Sequence, residues 1–373
     1  MVITNLANSK DIKIEDGIIT EIGDNLKDNE IYDAQNLKIY PLIIDLNVKN
    51  SESISKLNQK ALKGGVGTIL MIPKQKPIYN KLQLAYNLTK DKDIDLMVAI
   101  EAIHENKLTD IHTLIDRGAK AIFLNSDEDM NLIKRVFQYG EMLKVPIFIN
   151  ANNKTLLGVG QMNASDKAYS LGLEGIENYV ESVEVAKILE LSKYFDVKIV
   201  FQAISTKESL ELLKNRDKNK IFVDVCIDNL LYTDENIGEF NTLFKTFPPL
   251  RSENDKNALI EAVKNGEIDF ISSNHIAVND ENKDVAFEIA EFGISKLDHF
   301  ANLVYSLDIN DEIVTNMVSS NPAKLFNLNE GEIKIGKKAK FMLGSIDCNQ
   351  ENVKKIENKI NEYEFKVKKV FIF

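Results

Sequence analysis

Cysteine and histidine are scarce in this chain of 373 residues, with two of the first and four of the second. Cys226 and Cys348 are too few and too far apart for a disulfide framework or a thiolate zinc site, and their paucity fits a reducing compartment. Positive charge is not in excess either. The 46 Lys and Arg face 57 Asp and Glu, a net charge of −11, which excludes a surface that tracks a nucleic-acid backbone. No apolar run approaches the roughly 20 residues of a membrane helix. The opening MVITNLANSKDIKIEDG lacks the basic-then-apolar pattern of an export signal. These absences lead us to expect a cytoplasmic protein with neither nucleic acid nor membrane as partner.

Two motifs are missing as well. There is no Gly-x-Ser-x-Gly nucleophile elbow, and no glycine-rich phosphate loop follows the first apolar run. The latter absence disfavours a doubly wound dinucleotide-binding sheet.

What the chain does contain is regular. Eight short apolar runs, PLIIDLNV, GTILMI, DLMVAI, KAIFLN, VPIFIN, VKIVFQAI, KIFVDVCI and IDFISS, are each too short for a normal helix and are bounded by Gly, Pro, Asn or Asp. Amphipathic segments separate them. In DKNALIEAVKNG, Leu259, Ala262 and Val263 share one face and Gly266 stands at the C′ position. Eight such units predict an α/β fold, a (β/α)8 barrel of the TIM type over residues 42–329. The flanks differ in texture. IKIEDGIITEIG places Asp16-Gly17 as a hairpin turn between alternating strands, and GEIKIGKKAKFMLGSID and YEFKVKKVFIF read as further strands. Residues 1–41 and 330–373 are therefore expected to pair into one small β-sandwich.

In such a barrel, chemistry sits at the C-terminal strand ends. Here these are Asn47 and Lys49, Lys74, Glu101, Asn125, Asn150, Ala203, Asp228 and Asn274. Of the four histidines only His275 lies at a strand end, and a lone histidine is commonly a hydrogen-bonded structural residue. His112 and His299 fall in helical stretches. Cys226 ends an apolar strand and reads as a small core residue. Asp127, Glu128 and Asp129, in NSDEDM, suit the start of the following helix, where acids complement the dipole. Lys49 and Lys74 are either rim lysines or desolvated amine nucleophiles.

The stretch FPPLRSENDKNALIEAVKNGEIDFISSNHIAV, residues 247–278, resembles the dihydroorotase family of cyclic amidohydrolases in its Pro-Pro-Leu-Arg run and its Gly-x-Ile-Asp before the last strand. The resemblance extends over the whole chain. PLIIDLNVKNS is similar to the family's first strand, MIPKQKP to its Met-Pro-Asn-Thr-x-Pro loop, VPIFINANN and QAIST to its histidine-bearing fifth and sixth strands, and NPAKLFNL to its entry into the terminal β-domain. It implies a zinc-dependent ring amidohydrolase, yet the departures fall on the chemistry. The zinc histidines correspond to Asn47, Lys49, Asn150 and Ala203, and the catalytic aspartate to Asn274. The bridging acid falls near Leu124, or on Asp127 after a shift of about three residues. The family's substrate arginine corresponds to Ser51, its loop asparagine to Lys74, and other contacts to Phe247 and Val278; Phe292 and Gly293 are kept.

The resemblance with these departures implies a non-catalytic homologue with no metal and no cofactor, its zinc lost, that serves as a structural partner of aspartate carbamoyltransferase in pyrimidine synthesis. Self-association into a homo-oligomer stays open. Two further readings stand beside it: an enzyme with altered, metal-independent chemistry through Lys49 or Lys74 with Asp127 or His275, and a small-anion binder. Lys49, Lys74, Arg251, His275, Phe292 and Gly293 are the candidate ligand contacts.

Overall fold

The computed structural model describes residues 1–74, 78–90, 92–346 and 365–373, so Cys348 lies outside the described residues. Eight parallel strands form one sheet in sequence order: β1 (Ile43–Lys49), β2 (Val66–Ile72), β3 (Asp95–Glu101), β4 (Ala121–Asn125), β5 (Ile147–Asn150), β6 (Ile199–Gln202), β7 (Ile221–Cys226) and β8 (Phe270–Ser272). They correspond one to one with the eight apolar runs. Closure between the last strand and the first is made by few bonds. The Lys49 N–H donates to His275 O at 3.0 Å, and the Ser273 N–H donates to the Asp45 carboxylate at 3.2 Å.

Strand alternation explains why these runs read as almost continuously apolar. One face, with Ile43, Ile69, Ile122, Ile147, Ile199 and Val223, packs against the surrounding helices, and Val48 joins it because register shifts interrupt the alternation of β1. The other, with Ile44, Leu46, Leu70, Ala99, Phe123, Phe148, Val200 and Phe270, fills the barrel interior. The helix Glu253–Lys264 buries Leu259, Ala262 and Val263 as its periodicity requires, and the Ser252 hydroxyl caps its start by accepting from the Asp255 N–H. Gly266 follows in the left-handed region, φ 66°, the conformation a helix stop needs and a side chain resists.

Both chain ends build the small module. Strands Val2–Thr4, Asp11–Glu15, Ile18–Gly23 and Ile31–Asp33 form one sheet, while Lys38–Pro41, Lys340–Ile346 and Phe365–Ile372 form the other. Asp16 and Gly17, with φ 49° and 74°, turn the hairpin as expected of a two-residue loop with both centres left-handed. Ile3, Ile12, Ile14, Ile19, Ile39, Phe341 and Leu343 meet between the two sheets. The module is anchored to the base of the barrel by Lys340, whose ammonium bridges Asp95 and Glu330 at 2.6 and 2.7 Å. No helix among the described residues is long and apolar enough to cross a membrane.

Candidate functional site at the barrel mouth

The C-terminal strand ends converge on a mouth that the chain closes with its own groups. The Asn274 backbone is left-handed, φ 46°, which directs its amide N–H onto Phe247 O at 2.9 Å. That bond fastens the Phe247-Pro248-Pro249 loop over the opening, and the Phe247 ring packs edge-on against Phe292 at 5.9 Å. Under the loop, Asn150, Gln202, Ala203 and Arg251 surround a cavity of about 10 Å³, room for roughly one water. Ala203, also left-handed at φ 49°, donates its N–H to the buried carboxyl of Asp224 at 3.0 Å.

Beneath the mouth lies an unusual set of polar side chains. Asn47 and Gln202 are buried, and neither end of either amide has a hydrogen-bond partner among the described residues. One oxygen each of Asp45 and Asp224 is in the same condition. Their other oxygens are engaged, in Asp224 by Ala203 N and the Ser272 hydroxyl, in Asp45 by Asn47 N and Ser273 N. Burial pushes the Asp224 carboxyl up to about 7 and raises Asp45 as well. Lys49 lies over the Phe123 ring at 5.4 Å. Desolvation and then the neighbouring Lys74 ammonium bring it down to about 7, the direction expected when a cation loses water without gaining a close anion.

The remaining candidates divide. His275 is buried, its Nδ1 accepting from the Lys296 and Leu297 N–H groups at 3.0 and 3.2 Å. The proton therefore sits on Nε2, which donates to Glu52 at 2.8 Å, and burial holds the ring below its ordinary basicity. Arg251 is equally committed, to the Ser205 hydroxyl, the Asn163 side chain and Ile176 O. The Gly293 N–H is taken by Lys245 O, and the Phe292 ring receives the Lys245 ammonium at 4.7 Å. The His275 ring, the Nε and one terminal nitrogen of Arg251, and the Gly293 N–H are thus bonded within the chain. Lys74 is exposed. Ser51 accepts from the Ala277 N–H at 2.7 Å, and Leu124 points into the outer core. Asp127 faces Lys154, accepting its N–H at 3.3 Å, whereas Asp129 caps the helix Met130–Leu143. Asn150 donates to Asn125 across neighbouring strand ends at 3.1 Å. Glu101 lies beside His104 at 3.5 Å. Asp228 is ion-paired with buried Lys296, and Cys226 touches both.

Asp45, Asp224 and Gln202 were not singled out from the sequence, although a signal existed: each is a polar residue inside or closing an apolar strand run. Lys245, Lys283 and Lys296, buried beside the mouth, lie in irregular segments where no periodicity marks them.

Zinc is the metal that the fold implies, and it takes imidazole, thiolate or carboxylate ligands. The positions facing the mouth carry two amides, a methyl group and an ammonium, and no group of three His, Cys, Asp or Glu able to hold a metal exists among the described residues. The residues present do not fit the ion.

No family model matches the chain, but individual proteins do. A dihydroorotase of Acetivibrio thermocellus is 30% identical over 378 residues, covering 94% of this chain and 88% of the relative. A probable dihydroorotase-like protein of Helicobacter pylori is 27% identical over 351 residues, 91% and 85% of the two chains. Among solved structures, a D-hydantoinase from Thermus sp. superposes with a TM-score of 0.82 at 19% identity, over 100% and 93% of the chains. A dihydroorotase from Campylobacter jejuni gives 0.66 at 17%, over 93% and 100%. The barrel with its terminal β-module is the architecture shared with these structures, and the chain belongs to the dihydroorotase family.

Proposed function

We propose that this protein is a non-catalytic member of the family that acts by assembly, as a structural or regulatory partner of aspartate carbamoyltransferase. One observation carries the loss of catalysis. Asn274, at the position of the family's catalytic aspartate, is an amide whose N–H fastens the Phe247 loop over the mouth. An amide cannot take up a proton near neutral pH, so it cannot serve as the base of a ring-opening or ring-closing step. The donor set of Asn47, Lys49, Asn150 and Ala203 likewise offers no means of activating a metal-bound water. The carbamoyltransferase partnership rests on the resemblance, in which barrel and β-module are kept while the mouth is rebuilt. Size-exclusion chromatography of the purified chain with the carbamoyltransferase of the same cell tests it: a shared peak at micromolar concentration supports the reading, and separate elution refutes it.

The Lys49 side chain favours a second reading, metal-independent chemistry through a neutral amine. It requires that an activity found in the wild-type chain collapse in Lys49→Met.

A further inference from the structure

The helix Tyr179–Ser192 is built inside out. Its face toward the barrel carries two carboxylates, Glu181 and Glu184, beside Val180, Val185 and Ile188. Both are engaged there: Glu181 accepts from the hydroxyls of Ser205 and Thr206 at 2.6 and 2.9 Å, and Glu184 accepts from the Asn153 amide at 2.8 Å. The opposite face is where a barrel helix ordinarily holds its charges. Instead Tyr179, Val183 and Tyr194 are 50, 47 and 74% exposed, and Ala186 between them is exposed as well. With about 100° of turn per residue, positions 179, 183, 186, 190, 193 and 194 fall within one arc of about 100°. Tyr179, Val183, Ala186, Glu190 and Lys193 are alternately four and three residues apart, the spacing of a seam between two packed helices. Single exposed apolar side chains need no explanation, but a stripe of them along one helix does.

We propose that this stripe is the contact surface for a second copy of the chain, the two helices packing antiparallel about a twofold axis beside Ala186. Charge selects that occupant and that direction. The stripe begins next to Glu177 and ends on Lys193, both exposed. An antiparallel copy sets the acidic end of each helix against the basic end of the other, with the helix dipoles opposed as well. A parallel copy would set like against like. Ala186, the smallest side chain of the stripe, falls at its midpoint, where the two backbones come nearest, and Val183 of each copy then packs between Ala186 and Glu190 of the other. Glu190 is paired with Lys193 within its own chain, so the contact does not strand its charge. The arrangement is isologous and closes on two copies. A contact centred on a helix about 21 Å long is at the small end of specific interfaces, which sets the expected dissociation constant in the micromolar range.

Sedimentation equilibrium of the purified protein alone, from about 1 to about 100 µM, tests the assignment. We expect a monomer–dimer equilibrium whose dissociation constant rises about tenfold or more in Val183→Asp and in Ala186→Arg. Both positions are exposed, so the fold is kept, which circular dichroism checks. Lys193→Glu should weaken the dimer too, and adding Glu177→Lys to it should restore the affinity, a rescue that the antiparallel pairing requires and a parallel one forbids. A protein that stays monomeric at the highest concentration, a dimer that Val183→Asp leaves intact, or a double variant no tighter than Lys193→Glu would each overturn the assignment. The carbamoyltransferase is absent from the measurement, so the outcome is independent of that partnership.

Discussion

Replacing Lys49 by Met should stabilise the protein at neutral pH, and by an amount that shrinks as pH rises. The ammonium lies in the barrel mouth over the Phe123 ring, and its proton affinity falls from the ordinary 10.5 to about 7. At about 1.4 kcal/mol for each pH unit of that gap, burying the charge costs at most about 5 kcal/mol. Solvent at the mouth and relaxation around the lysine reduce this, and about 2 kcal/mol is a fair expectation. The sign follows from linkage. Between about pH 7 and 10 the unfolded chain holds a proton on this lysine that the folded chain has released, so stability rises with pH across that window and the full cost is felt below it. Methionine fills a similar volume without the charge and removes the dependence. Asp224, titrating near 7 when folded, is ionised in both states above that pH and adds no slope there. Lys245 and Lys283 do add slope, being lowered to about 8, but they are common to both proteins and cancel in the difference. Urea denaturation of both proteins in a phosphate-free buffer, from about pH 7 to about pH 10, reads the effect directly. A variant less stable than wild type at pH 7, or a difference that does not change with pH, would show that Lys49 is a well-partnered residue and that the mouth is not a desolvated cation site.

Other parts of the structure give further expectations. Glu181 is buried and accepts from the backbone and hydroxyl of both Ser205 and Thr206, at 2.6 to 3.2 Å; Glu181→Ala strands those donors and should cost about 3–5 kcal/mol in urea unfolding. His275 binds its proton more weakly folded than unfolded, so its contribution is intact above about pH 6.5 and is lost as pH falls below it. His275→Gln should flatten that acid limb in unfolding curves, and an unchanged limb would place the titration elsewhere.

The parts of the fold that follow from periodicity were legible in the sequence. Runs such as GTILMI and KAIFLN are buried on both faces, so composition alone marks them as parallel strands. DKNALIEAVKNG carries its own stop signal, and Asp16-Gly17 dictates its turn through φ. The site was legible only as differences from the family that the chain resembles. Asn47, Lys49, Asn150, Ala203 and Asn274 were identifiable as departures from the family pattern, but their new partners depend on contacts between segments distant in the chain. Asn274 reaching Phe247 O, Ala203 reaching Asp224, and His275 reaching Glu52 leave no periodic trace. Sequence shows the chemistry of Arg251 and His275 but not the hydrogen bonds that each makes within the chain. The buried lysines at 245, 283 and 296 were invisible for a related reason: their charges are met by backbone carbonyls or by one acid, arrangements that only the folded loops create.

Under the proposed function, this barrel keeps the family's architecture without its metal chemistry. The direct measurement is zinc content and dihydroorotate turnover of the purified protein after incubation with zinc and dialysis. Substoichiometric zinc and no turnover above the uncatalysed rate are expected. Zinc retained at one or more ions per chain, with turnover that a chelator abolishes and zinc restores, would contradict the proposed function.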